Sequence, residues 1–405
     1  MSRPRIPKIA VEDVPIIDTD QALVEFAEAQ RGIDWMCFDT EFIGERRYYT
    51  LLCLIQVATE HGFYFIDPLR IDSLDPFLDI IEDPKVTKIT HAGENDYRLL
   101  HQLFNTLPAN LFDAQVAAGF VGYKYPISFG KLVEAELDVR LAKGYAVTDW
   151  ERRPMSGKAL KYALNDVLYL PALWKNLCAK LEKHGRLDWV GQELELWEQA
   201  DYYDRDPNRE ALKSNMIGNL RRKEQLFLLR LYRWRDREAE RRDHSREMVL
   251  PGKYIGHIVR GMGAGRDALL NNRRLPGKTM SRFVDTFTKI YNEPETQEDL
   301  DVLKQVRGRR EEEDPKRELL TEMLHLIIRY RCLEGDMAHS IVLSRSILKK
   351  LKLDADYEDP TLAEGSWRAE FLGTEIISWL ENRESLELAF EEGRVELRIA
   401  GGTAR

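Results

Sequence analysis

Phe38-Asp39-Thr40-Glu41-Phe42 is the stretch whose reading decides the fold. It lies inside an apolar run, with Trp35-Met36-Cys37 before it and Ile43 after it. Along a β-strand, side chains i and i+2 point to the same face, so Asp39 and Glu41 project together. Two carboxylates ionised side by side at the edge of a core need a cation or a proton to compensate them. The pair reads either as a strand end meeting solvent or as part of a divalent-cation site completed by later carboxylates.

Outward from this strand the pattern is mixed. Residues 34–42, 51–58 and 62–66 read as three strands of an antiparallel meander, preceded by a helix over 19–30 with Thr19 as N-cap. A helix follows over 73–81, stopped by Asp83-Pro84, and then a short strand over 86–90. Gly93 turns the chain into a helix carrying Asp96, Tyr97 and Leu100. Further helices are predicted at about 113–120, with Asp113 as N-cap, and at about 128–137. Ser156 caps a longer one in which Leu160, Ala163, Leu164, Val167 and Leu168 form the buried stripe. On that helix Tyr162 and Asp166 are four apart and share a face. Strands first and β-α alternation afterwards predict a mixed sheet flanked by helices.

Beyond about residue 185 the pattern is helical up to a possible strand at 394–398. Residues 221–289 carry 18 Lys and Arg against 8 Asp and Glu, a local charge of +10 in a chain of 405 residues whose formal charge is -9. That asymmetry predicts a basic helical module beside an acidic one. In the helix over 222–240, Arg235 and Arg237 are expected to turn away from the apolar side. Residues 293–316 read as a solvated connector, and 317–382 as a second helical unit. Cys37, Cys53, Cys178 and Cys332 form no close pair, no span is long and apolar enough for a membrane, and the start shows no signal-peptide pattern, so a cytoplasmic protein is expected.

Asp39 and Glu41 on a strand, Asp96 on one helix and Asp166 on another are four carboxylates able to surround two divalent cations about 3.5–4 Å apart. Hard oxygen donors favour Mg²⁺ or Mn²⁺. Such a pair of ions suits phosphodiester hydrolysis, activating the attacking water and stabilising the leaving oxygen. Tyr162, one turn before Asp166, reads either as a packing tyrosine on an amphipathic helix or as a group that orients that water, since a free phenol with a pKa of about 10 is a poor base at neutral pH.

Asp39-x-Glu41, His91-Ala92-Gly93-x-x-Asp96 and Tyr162-x-x-x-Asp166, in this order, resemble the DEDDy class of 3′-to-5′ exonucleases. The flanking strings are most similar to the bacterial ribonuclease D family: Tyr48-Tyr49-Thr50-Leu51-Leu52-Cys53-Leu54-Ile55-Gln56, Phe65-Ile66-Asp67-Pro68-Leu69 and Asp149-Trp150-Glu151-Arg152-Arg153-Pro154. The resemblance covers residues 15–200 most firmly. It implies a ribonuclease H-like α/β exonuclease domain over 1–205 that removes 5′-mononucleotides from RNA 3′ ends. Asp39, Glu41, Asp96 and Asp166 would be metal ligands, and Tyr162 would join them as catalytic residue. It further implies two all-α domains resembling the helicase-and-RNase-D C-terminal (HRDC) type, at 206–292 and 317–385. The charged linker 293–316 separates them, and a tail at 386–405 follows. The second copy rests on Leu319 to Arg331, Ser344-Arg345 and Trp367-Arg368. Implied partners are tRNA precursors and other structured RNAs, with no membrane and no organic cofactor.

Candidate substrate contacts are Phe42, Gln56 and His91 near the acids, and Arg233, Arg235 and Lys253 on the basic module, together with Arg221, Arg222, Arg237 and Lys278. Each has an alternative role in packing or as an ordinary solvated charge. Two other functions stay open at this level: a DNA 3′-to-5′ exonuclease of the Werner or proofreading type, and a non-catalytic RNA-binding protein.

Overall fold

The computed structural model describes residues 6–142, 149–204, 206–306, 315–344, 347–348, 351, 358–380, 385–391 and 394–400. Arg307 to Asp314 of the charged connector, and Arg345, lie outside them. By contacts the chain divides into two units, the described parts of Met1–Glu41, Leu54–Tyr202 and Asp314–Arg405 in one, and of Phe42–Cys53 and Tyr203–Glu313 in the other.

The first unit is built on a six-stranded mixed sheet. Its strands are β1 (Ile16–Ile17), β2 (Trp35–Ile43), β3 (Leu51–Thr59), β4 (Gly62–Ile66), β5 (Thr87–Thr90) and β6 (Leu111–Asp113). The spatial order is β1-β4-β3-β2-β5-β6. β3 and β4 are antiparallel, while β1 with β4, β2 with β5 and β5 with β6 are parallel. β2 therefore lies inside the sheet, and Met36, Cys37 and Phe38 on it are wholly buried. Its apolar half anchors the strand, and its acidic half follows directly.

Helices α1 (Asp20–Ala29), α2 (Asp75–Glu82), α3 (Glu94–Phe104), α4 (Ala114–Gly119), α5 (Phe129–Leu137), α6 (Gly157–Leu168), α7 (Leu170–His184) and α8 (Leu187–Leu194) complete this part. The three expected caps are present. Thr19 accepts from Ala22 N at 3.3 Å, Asp113 from Gln115 N and Val116 N, and Ser156 from Ala159 N at 3.2 Å. Buried Ala159, Ala163, Leu164 and Val167 hold one face of α6 against the core, with Leu160 and Leu168 only half-buried.

The C-terminal segment belongs to this first unit. Arg186 donates to the carbonyls of Phe120 at 2.9 Å, Gly335 at 2.6 Å and Asp336 at 3.2 Å. Gly119 O accepts from Ala338 N at 2.8 Å. Trp367 donates from its backbone to Gln192 and from its indole to Glu193. The helices Pro315–Glu334 and Trp367–Leu380 are thus tied to α4 and α8. The terminal strand is longer than expected, Arg394–Ala400, and it pairs antiparallel with Ser385–Glu391.

The second unit is helical around the twenty-residue helix Arg222–Arg241. Leu226, Phe227, Leu229 and Trp234 pack with Ile258, Val259, Val284 and Phe287 in its core. The segment 42–53 is part of this unit. Tyr48 and Tyr49 donate their backbone N–H groups to Asp243 at 3.1 and 3.0 Å, and their hydroxyls to Asp236 and Glu240.

The solvated connector expected at 293–316 instead includes the helix Gln297–Lys304, whose Asp299 is 2% exposed. Asp299 takes Arg230 at 2.6 Å and Arg233 at 2.7 Å. A buried carboxylate that joins two guanidinium groups is structural, because removing it would strand both cations.

Candidate active site

Asp39 and Glu41 stand on β2, and Asp166 on α6. Each of the three brings a carboxylate oxygen within 4.8 Å of the other two. Asp96, in the first turn of α3, is 6% exposed and near enough for its charge to act on Asp39 and Glu41. Thr40, between the two strand acids, donates its hydroxyl in a short hydrogen bond to Asp96 Oδ1. The strand thus supplies two acids itself and aims a third.

The electrostatics follow from burial and from like charge. Asp39 is raised well above the usual carboxylate range by burial, then by Asp96, Asp166 and Glu41. Glu41 is pushed up to about 8 by burial, then by Asp166 and Asp96. Burial lifts Asp166 to about 7. Burial also lifts Asp96 to about 6, against the lowering effect of the Thr40 hydroxyl. No lysine or arginine stands among the main groups acting on these four acids. Carboxylates gathered in this way resist ionising together, and a divalent cation relieves both repulsion and desolvation. The donor set, all hard oxygen, fits such a cation.

Tyr162 lies one helical turn from Asp166. Its phenol is raised above the ordinary tyrosine range by burial, then by Asp166, Glu41 and Asp39. It therefore keeps its proton, as a group that orients by hydrogen bonding must. The Trp150 ring lies 6.4 Å from the Tyr162 ring. Arg153 holds this segment in place, donating to Trp150 O at 2.7 Å and to both oxygens of Asp67 at 2.5 and 2.7 Å. The strings Phe65–Leu69 and Asp149–Pro154 thus meet in one ion pair beside the tyrosine. The sequence marks both strings, but not the ion pair that joins them.

A second supporting residue is Asp113. Its carboxylate takes Thr90 Oγ1 at 3.1 Å and Gly93 N at 2.9 Å, besides capping α4. It fixes the loop from which α3 delivers Asp96. The spacing of a cap gave away its role in α4 but not its reach back to β5.

Several expected substrate contacts are corrected. Gln56 is fully buried in β3, and its amide offers a nucleotide no surface. His91 packs 5.2 Å from the Phe129 ring with Nε2 shut off from solvent. Arg233 is engaged by Asp299 and by Asn208 at 2.6 Å. Arg235, expected to turn outward, is 4% exposed between Glu210, Glu247 and the Arg246 carbonyl. Phe42, at 41%, and Lys253 are exposed.

A family profile described as 3′-5′ exonuclease matches residues 14–182, which include all four acids and Tyr162. The chain is 30% identical to the ribonuclease D of Gluconacetobacter diazotrophicus, with 98% of each chain covered. It is 29% identical to that of Sphingobium indicum, over 95% of this chain and 98% of the relative. Among solved structures it is similar to Escherichia coli RNase D, described as an exoribonuclease involved in structured RNA processing. There the TM-score is 0.78 at 25% identity, over 91% of this chain and 99% of the other. A protein from Bifidobacterium adolescentis shares the fold, with a TM-score of 0.67 at 19% identity. The acids on β2, α3 and α6 and relatives matched from end to end lead to one conclusion: the chain belongs to the ribonuclease D family and is a 3′-to-5′ exoribonuclease.

Proposed function

We propose that Asp39, Glu41, Asp96 and Asp166 hold two divalent cations, Mg²⁺ or Mn²⁺, and that Tyr162 positions the attacking water. When bound, the cations supply Lewis acidity at that water and at the leaving 3′ oxygen. The hydrolysis breaks the last P–O3′ bond, releasing a 5′-mononucleotide and leaving a new 3′ hydroxyl on the shortened strand. Tyr162, protonated and close to Asp166, donates or accepts one hydrogen bond to fix the direction of attack. Phe42 offers an exposed ring for the terminal base, beside Glu41 in sequence.

The substrates we propose are tRNA precursors and other structured RNAs, in line with the description of the Escherichia coli relative. We read the helical segments within 206–292 and 317–385 as HRDC-type modules. Arg221, Arg222, Arg237, Lys253 and Lys278 are exposed and suit phosphate contact. Four free cysteines and no helix able to cross a membrane among the described residues support a reducing, cytoplasmic setting.

The observation that carries this reading is the gathering of Asp39, Glu41 and Asp166 within 4.8 Å, with Asp96 alongside. The test is release of 5′-mononucleotides from labelled RNA with structured and unstructured 3′ ends, with and without chelator, beside a matched DNA strand. Asp166→Asn is expected to stop release while the fold is kept. Wild-type turnover by that variant, or in chelator, would refute the mechanism, and a clear preference for DNA would refute the substrate.

A further inference from the structure

Tyr162 stands half-buried on α6, outside the stripe of Ala159, Ala163, Leu164 and Val167 that fixes the helix itself. Among the described residues none takes up its hydroxyl in a hydrogen bond. A phenol turns about two side-chain torsions, so its direction is left to whatever its ring packs against. The ring that meets it is Trp150, 6.4 Å away between centroids and tilted by 45°. Trp150 is itself 7% exposed, so a broad and rigid indole forms a wall beside the tyrosine.

The wall is fixed to the sheet through one guanidinium. Asp67 follows β4, and its N–H donates to Ile17 O at 2.9 Å, which makes it a firm base. Arg153 meets both oxygens of this buried carboxylate, at 2.5 and 2.7 Å. The same guanidinium donates to the backbone carbonyls of Trp150 at 2.7 Å and Arg152 at 3.1 Å. A planar fork can serve a carboxylate and two carbonyls at once, and a lysine ammonium cannot reproduce that geometry. Three residues after Arg153, the Ser156 cap starts α6, so the clamp also fixes the entry into the helix that bears Tyr162. We infer that Trp150, held to the sheet by Arg153 and Asp67, is a positioning residue for Tyr162: its ring sets the direction in which the phenol meets the attacking water. This rests on the role proposed for Tyr162. A displacement of about 1 Å at such a group costs up to about a hundredfold in rate. The loss falls on kcat rather than on KM, because the direction of the phenol matters when the water attacks.

The test is a set of double-mutant cycles in the full chain, read as nucleotide release from a labelled RNA with Mg²⁺. Trp150→Ala removes the wall and is expected to lower kcat about tenfold, with KM within about twofold of wild type. Trp150→Phe keeps a ring there and should stay within about threefold. Arg153→Lys keeps the charge without the fork and should also lower kcat about tenfold. Each substitution is then repeated beside Tyr162→Phe. There it is expected to change kcat by less than about twofold, because the hydroxyl it acts through is gone. Circular dichroism melts and calorimetric titration with Mg²⁺ accompany every variant, and Mg²⁺ affinity is expected to hold. If Trp150→Ala does not fold, the Arg153→Lys cycle decides alone. An equal loss of kcat with and without the Tyr162 hydroxyl, or weakened Mg²⁺ binding, assigns the clamp to the fold or to the acids and overturns the inference. So does a folded Trp150→Ala or an Arg153→Lys with wild-type kcat. Wild-type turnover by Tyr162→Phe alone sinks the role of the tyrosine, and this inference with it. A slow Tyr162→Phe whose losses simply add to those at Trp150 and Arg153 sinks only the inference.

Discussion

Glu41 shows what the site asks of a single side chain. Its carboxyl titrates near 8 in the folded chain, against an ordinary value of 4.5. The folded protein thus binds a proton that the unfolded one releases between those two values. Linkage makes the metal-free protein less stable as pH rises through that window, and Asp96 near 6 and Asp166 near 7 add to the trend. In chelator, Tm is expected to fall from about pH 4.5 to about pH 8. Added Mg²⁺ should recover the loss, most at the alkaline end. A metal-free Tm that ignores pH would contradict the clustering. Tyr162→Phe should lower kcat by roughly tenfold to a hundredfold with little change in KM or in Mg²⁺ affinity. A variant with unaltered kcat would remove Tyr162 from the reaction. The two strand acids were legible because a strand repeats every two residues. Thr40 was not, because the hydroxyl that steers Asp96 leaves no mark in a sequence until α3 is folded beside it.

The connection from β5 to α3 does for an element what Thr40 does for a residue. Ala92 adopts a left-handed φ of 59°, and Gly93 packs so close to Thr90 that an added Cβ would lie 2.5 Å from Thr90 Cβ. Gly93→Ala is expected to cost about 1–3 kcal/mol by overpacking. It should also depress activity beyond that loss, because α3 carries Asp96. Denaturant melts beside single-turnover rates will separate the two effects, and an unperturbed variant would show that the turn has slack. The elements with clear periodicity, from β2 to α6, were legible to within a few residues. β1 and β6, two and three residues long, are too short to show a period. The arginines of Arg222–Arg241 misled for another reason. Apolar spacing tells which face of a helix is dry, but not which cations a later acid such as Asp299 will draw inward.

At the scale of the molecule, Arg186 is one of several side chains that tie the C-terminal segment into the first unit, beside Trp189, Glu193 and Trp367. The Arg186 guanidinium serves three carbonyls and lies 5.5 Å from the Trp189 ring and 5.9 Å from that of Phe371. Arg186→Met keeps the bulk but leaves those carbonyls unmet, a loss of about 1–3 kcal/mol. Limited proteolysis is expected to cut within 315–380 sooner, while short RNA is still degraded. Equal protease resistance would mean that Trp367 and Gly119 suffice. That the chain turns helical beyond about residue 185 was legible from sequence. That its C-terminal segment joins the exonuclease unit was not, because side chains such as Arg186 decide it and no repeat announces them.

The stretch from Phe42 to Cys53 has a further consequence. The backbone leaves the acid-bearing strand, joins the basic helical unit from Phe42 to Cys53, goes back, and returns to that unit at Tyr203. A gene split or recombination near residue 205 would divide a folded body rather than separate two. Inheritance, exchange and expression of the halves are therefore bound together, and any shortened form of this enzyme has to retain both or rebuild the missing loop.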